Sequence, residues 1–150
     1  MNRRSLLAAL ATLPALKLLP AHAASKVHVY KDPNCGCCTG WVDHLKAAGF
    51  SVDVTETADL APVRKRLGMP ERLAGCHTGV VEGYALEGHV PAAEVKRLLS
   101  LRPQAVGLAV PGMPVGSPGM EAGGRVDPYK VLLVDKSGRE TVFASYPAKG

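Results

Sequence analysis

Three of the four cysteines stand within four residues, in Asp32-Pro33-Asn34-Cys35-Gly36-Cys37-Cys38-Thr39. Close thiols support two kinds of chemistry. A dithiol exchanges with disulfides through its thiolate, and several thiolates together hold a thiophilic metal. Cys35 and Cys38 have the C-x-x-C spacing, and Cys37 adds a third sulfur between them. The fourth, Cys76, lies in Gly75-Cys76-His77-Thr78. Further donors that could serve such a site are His77, His89, Met113 and Met120. An even cysteine count in an exported chain ordinarily suggests a disulfide framework. Scattered cysteines would staple a fold, whereas these are clustered and point to a site.

The elements that must position these sulfurs follow from periodicity. Val27-His28-Val29-Tyr30-Lys31 is rich in β-branched and aromatic residues and predicts a strand. Trp41, Val42, Leu45 and Ala48 recur at helical spacing. The cysteines therefore occupy a strand-to-helix turn, at the positive end of a helix, where unsatisfied N–H groups favour a thiolate. Gly49 ends that helix, and Phe50-Ser51-Val52-Asp53-Val54 alternates as a second strand, which gives a β-α-β unit. Asp59 suits the cap of a next helix with Leu60, Val63 and Leu67 on one face and Gly68 at its end. Arg64, Lys65 and Arg66 on it read as a solvated face. Gly79 to Glu87 reads as a hairpin, and Pro91 opens a third helix through Ala92, Val95, Leu98 and Leu99. From Arg102 to Pro128 the chain is Gly- and Pro-rich without a period, and carries Met113 and Met120. A last hairpin joins Tyr129–Val134 to Glu140–Phe143 through Asp135-Lys136-Ser137-Gly138. The order β-α-β-α-β-β-α is the thioredoxin-like one. The expected fold is thus an α/β thioredoxin-like sandwich with a long Gly/Pro/Met loop and a C-terminal β-hairpin.

Length and charge bound the function. A chain of 150 residues suffices for one domain with a real core. Residues 1–23 have the parts of a cleaved export signal: Arg3-Arg4, an apolar run from Ser5 to Leu19, and Ala21-His22-Ala23 as a small-x-small site. A membrane anchor is disfavoured because the run is short and broken by Pro14 and Lys17. No cysteine stands near the cleavage site to carry a lipid. Asn2-Arg3-Arg4-Ser5-Leu6-Leu7 resembles a twin-arginine signal, and that route and general secretion both stay open. The formal charge of +5 includes Arg3, Arg4 and Lys17, so residues 24–150 keep 15 basic against 13 acidic residues. No basic stripe with interleaved aromatics remains to bind nucleic acid.

In thioredoxin-like folds the loop before the third strand faces the C-x-x-C turn, where redox enzymes usually carry a cis-proline. Here Gly75-Cys76-His77-Thr78 stands there. By this analogy of fold, Cys76 faces Cys35, Cys37 and Cys38 and completes a four-sulfur site. Monovalent copper suits such a site better than zinc, which lacks its two separated knuckles here. His77 and His89 border the site. Each reads first as a hydrogen-bonded structural residue and second as a ligand or proton carrier. His28 reads as structural and His44 as meeting water. Met113 and Met120 are either soft neutral ligands or anchors of their loop.

Five stretches together resemble the CopG-type copper-resistance proteins. They are Tyr30-Lys31-Asp32-Pro33-Asn34-Cys35-Gly36-Cys37-Cys38, Gly75-Cys76-His77-Thr78, Gly88-His89-Val90-Pro91-Ala92, Gly107 to Pro114, and Gly116-Ser117-Pro118-Gly119-Met120-Glu121. The resemblance covers nearly all of the chain after residue 23. It implies a periplasmic, thioredoxin-like metal-binding protein of a Gram-negative bacterium. Copper would be held by Cys35, Cys37, Cys38 and Cys76, in the service of copper tolerance. The expected cofactor is copper as Cu(I), more than one ion, and the expected partners are copper ions and other periplasmic copper-handling or redox proteins. Two rivals stay open: a thiol–disulfide oxidoreductase acting on periplasmic proteins, and a metal-free disulfide-stapled domain.

Overall fold

Alternation builds the first strand. In β1 (Lys26–Lys31), Val27 and Val29 are fully buried while His28 and Tyr30 face the other side, partly exposed. This is a computed structural model, in which residues 24–147 are described. The export signal read at residues 1–23 lies outside the described residues. The helix α1 (Gly36–Ala47) buries Cys38, Trp41, Val42 and Leu45 along one face, with Cys35 as its N-cap. It crosses to β2 (Ser51–Glu56), which pairs parallel with β1 from Lys26↔Ser51 to Lys31↔Glu56. Then follow α2 (Ala61–Leu67), capped by Gly68 in the left-handed region, and a single 3-10 turn at Glu71–Leu73. The hairpin β3 (His77–Val81) and β4 (Tyr84–Glu87) precedes α3 (Ala92–Leu101). Three more strands complete the order: β5 (Ala105–Ala109), β6 (Tyr129–Asp135) and β7 (Glu140–Tyr146).

All seven strands form one mixed sheet in the order β2-β1-β3-β4-β5-β6-β7. The β1–β2 and β4–β5 pairs are parallel and the others antiparallel. One core cluster joins Trp41, Val42 and Leu45 of α1 and Val95 and Leu98 of α3 to Val29, Val81, Leu86 and Leu108 of the sheet. A second gathers Met69 and Leu73 against Ala85, Val106, Ala109 and Val134. Consecutive residues Ala85 and Leu86 belong to different clusters, so the sheet is covered on both faces at β4. Among the described residues no helix is long and apolar enough to cross a membrane.

Three local readings are corrected. The stretch from Arg102 contains a strand: β5 is buried at all five positions, so it shows no polar alternation to betray it. Its Gly107 is required by space, since a Cβ there would collide with the Ala85 carbonyl. Arg64 is not solvated. It is buried, donating to Glu71 Oε1 and Oε2 at 2.8 and 3.0 Å, with Glu87 Oε1 at 3.6 Å. His44 does not simply meet water, because its Nε2 accepts the Ala92 N–H at 3.0 Å and caps α3. Residues 110–128 form neither helix nor strand apart from an isolated bridge between Ala122 and Arg125. Within that stretch Ser117 Oγ donates to the Pro114 carbonyl at 2.6 Å, and Met120 N–H to the Ser117 carbonyl at 2.8 Å.

Candidate metal centre

The turn after β1 delivers the cysteines to the start of α1. Asp32 shapes it, its carboxylate accepting the Asn34 N–H at 2.7 Å and its carbonyl the Cys35 N–H at 3.1 Å. Cys37 and Cys38 fall in the first helical turn, where no acidic side chain offsets the positive end of the helix. Cys35 and Cys38 are joined as a disulfide, and Cys37 and Cys76 are free thiols. Cys37 Sγ lies 3.3 Å from Cys35 Sγ and 3.7 Å from Cys76 Sγ. Cys38 Sγ is 3.4 Å from the Cys76 carbonyl oxygen. The structure thus brings Cys76 to the three-cysteine turn across 39 residues of sequence, and all four sulfurs converge.

Cys76 also belongs to a second convergence. Its Sγ is 3.4 Å from His77 Nδ1 and 3.7 Å from His89 Nε2. Both rings are buried and each is tied from behind. His77 Nε2 lies 2.8 Å from the Gly88 carbonyl, and His89 Nδ1 lies 2.8 Å from the Pro118 carbonyl. A carbonyl only accepts, so those nitrogens carry the protons and the bare nitrogens face Cys76. Burial, reinforced by His89, pushes His77 down to about 3, so this ring is neutral at physiological pH. Burial also lowers His89. Burial, with Cys37 beside it, pushes the Cys76 thiol up to about 12. In the absence of a cation, Cys76 is therefore a thiol between two neutral imidazoles.

Packing holds these groups from three sides. The Trp41 indole stacks on His77 with ring centroids 4.3 Å apart, and its Nε1 donates to the Val90 carbonyl at 2.8 Å. His77 and His89 meet edge to face at 4.9 Å. Gly119 lies directly on α1, where a Cβ would stand 2.6 Å from the Cys37 carbonyl and the Trp41 nitrogen. Sequence reasoning missed Glu87. Fully buried at the end of β4, its carboxylate accepts the Gly75 N–H at 2.6 Å and the Thr78 hydroxyl at 2.7 Å. It therefore ties the Gly75 backbone before Cys76 and the Thr78 side chain after it. Burial raises its pKa against these hydrogen bonds and the Arg64 charge. An acidic residue closing the otherwise apolar strand Tyr84-Ala85-Leu86 was the available signal.

The methionines are placed differently from each other. Met113 is 56% exposed on the rim of an open cleft of about 630 Å³, with Pro111, Asp127 and Tyr129. Met120 is half-buried and follows Gly119 over α1. The remaining histidine of the described strands, His28, pairs with Thr55 Oγ1 at 2.8 Å.

Known proteins share both sequence and fold with this chain. Residues 73–120, which carry Cys76, His77, His89 and both methionines, match the family described as "Protein of unknown function, DUF411". No curated protein sequence matches the chain. Two solved structures do. "Copper resistance protein copG- Form 2" is 50% identical, with a TM-score of 0.79, over 83% of this chain and 99% of that one. "Copper resistance protein copG- Form 1" is 50% identical, with a TM-score of 0.78, over 82% of this chain and 98% of that one. At that identity, over nearly the whole length of those chains, this protein belongs to the CopG-type copper-resistance family.

Proposed function

We propose that this protein binds copper, as Cu(I), in the periplasm and serves copper resistance or homeostasis. The observation that carries the reading is the convergence of four cysteine sulfurs, joined through Cys76 to two bare imidazole nitrogens. Soft sulfur at low coordination number is the donor set monovalent copper prefers, and thiolates bridge ions, so more than one ion is expected. Cys35, Cys37, Cys38 and Cys76 would hold the metal once the Cys35–Cys38 bond is reduced, with His77 and His89 beside them. The stretch bearing Met113 and Met120 would form a cover. Deprotonation of Cys76 then comes from the cation itself, which reverses the effect of burial. The fold is read as thioredoxin-like, supported by the parallel β1–β2 pair around α1 and the antiparallel β3–β4 pair beside β1. Residues 1–23 are read as an export signal removed before residues 24–150 act as one metal-binding domain.

A redox role follows from the same atoms. Two thiols that close to a disulfide release two electrons and two protons, and the electrons reduce two Cu(II) to two Cu(I). The closed Cys35–Cys38 bond at a helix N-terminus also supports a second reading, a thiol–disulfide oxidoreductase acting on protein substrates. Anaerobic titration of the fully reduced protein with Cu(I) against a copper-selective chelator separates the two. More than one ion per chain, held in preference to zinc, is expected. Saturation at one ion or none, together with turnover of a protein disulfide, would favour the oxidoreductase.

A further inference from the structure

The cysteines are spaced for disulfide exchange within the chain as well as for binding. Cys37 stands between the closed Cys35–Cys38 bond and the Cys76 thiol, 3.3 Å from Cys35 Sγ and 3.7 Å from Cys76 Sγ. Disulfides rearrange by attack of a thiolate on a disulfide sulfur, and Cys37 already touches one. We propose that the bond migrates, so that the protein interconverts between a Cys35–Cys38 form and a Cys37–Cys76 form.

The exchange takes two steps. In the first, the Cys37 sulfur, as thiolate, bonds to Cys35 Sγ; the Cys35–Cys38 bond breaks and Cys38 leaves as a thiolate. In the second, the Cys76 sulfur bonds to Cys37 Sγ; the Cys35–Cys37 bond breaks and Cys35 leaves. Each proton given up by an attacking thiol passes through water to the departing sulfur. One disulfide is present throughout, so no oxidant or reductant is consumed. The short ring of a Cys35–Cys37 bond makes it a passing species, whereas Cys76 stands on a separate segment.

The two forms present different chemistry. The Cys35–Cys38 form leaves one thiol on α1 and one before β3. The Cys37–Cys76 form stitches α1 to the loop before β3 and frees the C-x-x-C pair, of which Cys35 is the partly exposed member. A dithiol of that spacing reduces an external disulfide, with Cys35 as the attacking sulfur. The fourth cysteine would therefore hold the bond while the turn is free to react. This inference is independent of the copper reading, because every measurement that tests it uses metal-free protein.

The test maps disulfides in the one-disulfide protein, with a chelator present and a catalytic amount of glutathione to reach equilibrium. Free thiols are alkylated on acid quenching, and digestion identifies the linked peptides. A Cys37–Cys76 pair beside the Cys35–Cys38 pair is expected. In the double variant Cys35→Ser/Cys38→Ser, oxidised glutathione should yield a product lighter by two hydrogens, with Cys37 linked to Cys76. If the equilibrated wild-type protein carries only Cys35–Cys38, the migration does not occur, whatever the double variant does. A folded double variant that takes up glutathione on both thiols without linking them overturns the proposal equally.

Discussion

At the scale of single residues, Cys76 is the point on which the centre turns. It is one sulfur away from the three-cysteine turn and one contact away from each imidazole. Cys76→Ser keeps nearly the same volume and retains a group able to hydrogen-bond the bare nitrogens, but removes a soft donor. Metal-free circular dichroism and melting should change little, while the number of Cu(I) ions held against a chelator falls, as it would for loss of a cysteine in the turn. A variant that melts far lower, yet binds copper normally when folded, would show Cys76 to be a packing residue. Glu87 anchors the segment that carries Cys76. An N–H, a hydroxyl and a guanidinium surround one buried carboxylate, so the loop has few other places to go.

At the scale of elements, helix ends do much of the positioning. The N-terminus of α1 carries the cysteines, and the N-terminus of α3 is held by His44 from α1. Burial lowers the pKa of His44, with Glu121 opposing, so the folded protein favours the neutral ring that accepts the Ala92 N–H. As pH falls through the ordinary histidine value, about 6.5, the unfolded chain takes up a proton that the folded one resists. Stability from this contact is thus complete above that value and declines below it. His44→Ala should cost about 1 kcal/mol at about pH 8, a typical cap contribution, and the difference from wild type should shrink towards about pH 5. Urea unfolding of metal-free protein across that range measures it, and a gap independent of pH would remove the histidine from the cap. The position of His44 beside a buried helical face was legible in the sequence, but its partner was not, because Ala92 lies in an element 48 residues away.

At the scale of the whole molecule, the N-terminal half was the more legible. Alternation in β1, the helical period of α1 and the glycine ends of α1 and α2 are local signals, and they place the cysteine turn where it is found. Beyond α3 the signals weaken. Ala105–Ala109 is buried throughout and uniformly small or aliphatic, so neither period marks it, and only its neighbours in the sheet make it a strand. Arg64 in an Arg-Lys-Arg run looked solvated because its acidic partners, Glu71 and Glu87, come from separate segments. The convergence of His89 with Cys76 depends on Pro118, a backbone acceptor with no signature in sequence. Export remains a matter of sequence: if residues 1–23 are a signal, intact-mass analysis of the periplasmic fraction should find a chain beginning at Ala24. A product that keeps those residues and stays with the membrane would defeat that reading. The chain has one tryptophan, and Trp41 lies fully buried between helix and sheet with its face on His77. The protein therefore carries its own optical probe. An indole in that apolar setting emits at short wavelength, and any cation that arrives on His77 places charge on a ring that stacks on the indole with centroids 4.3 Å apart. Loading of the centre and loss of the fold can thus be followed in the light of one unlabelled residue, the first as a change in intensity and the second as a shift to the red.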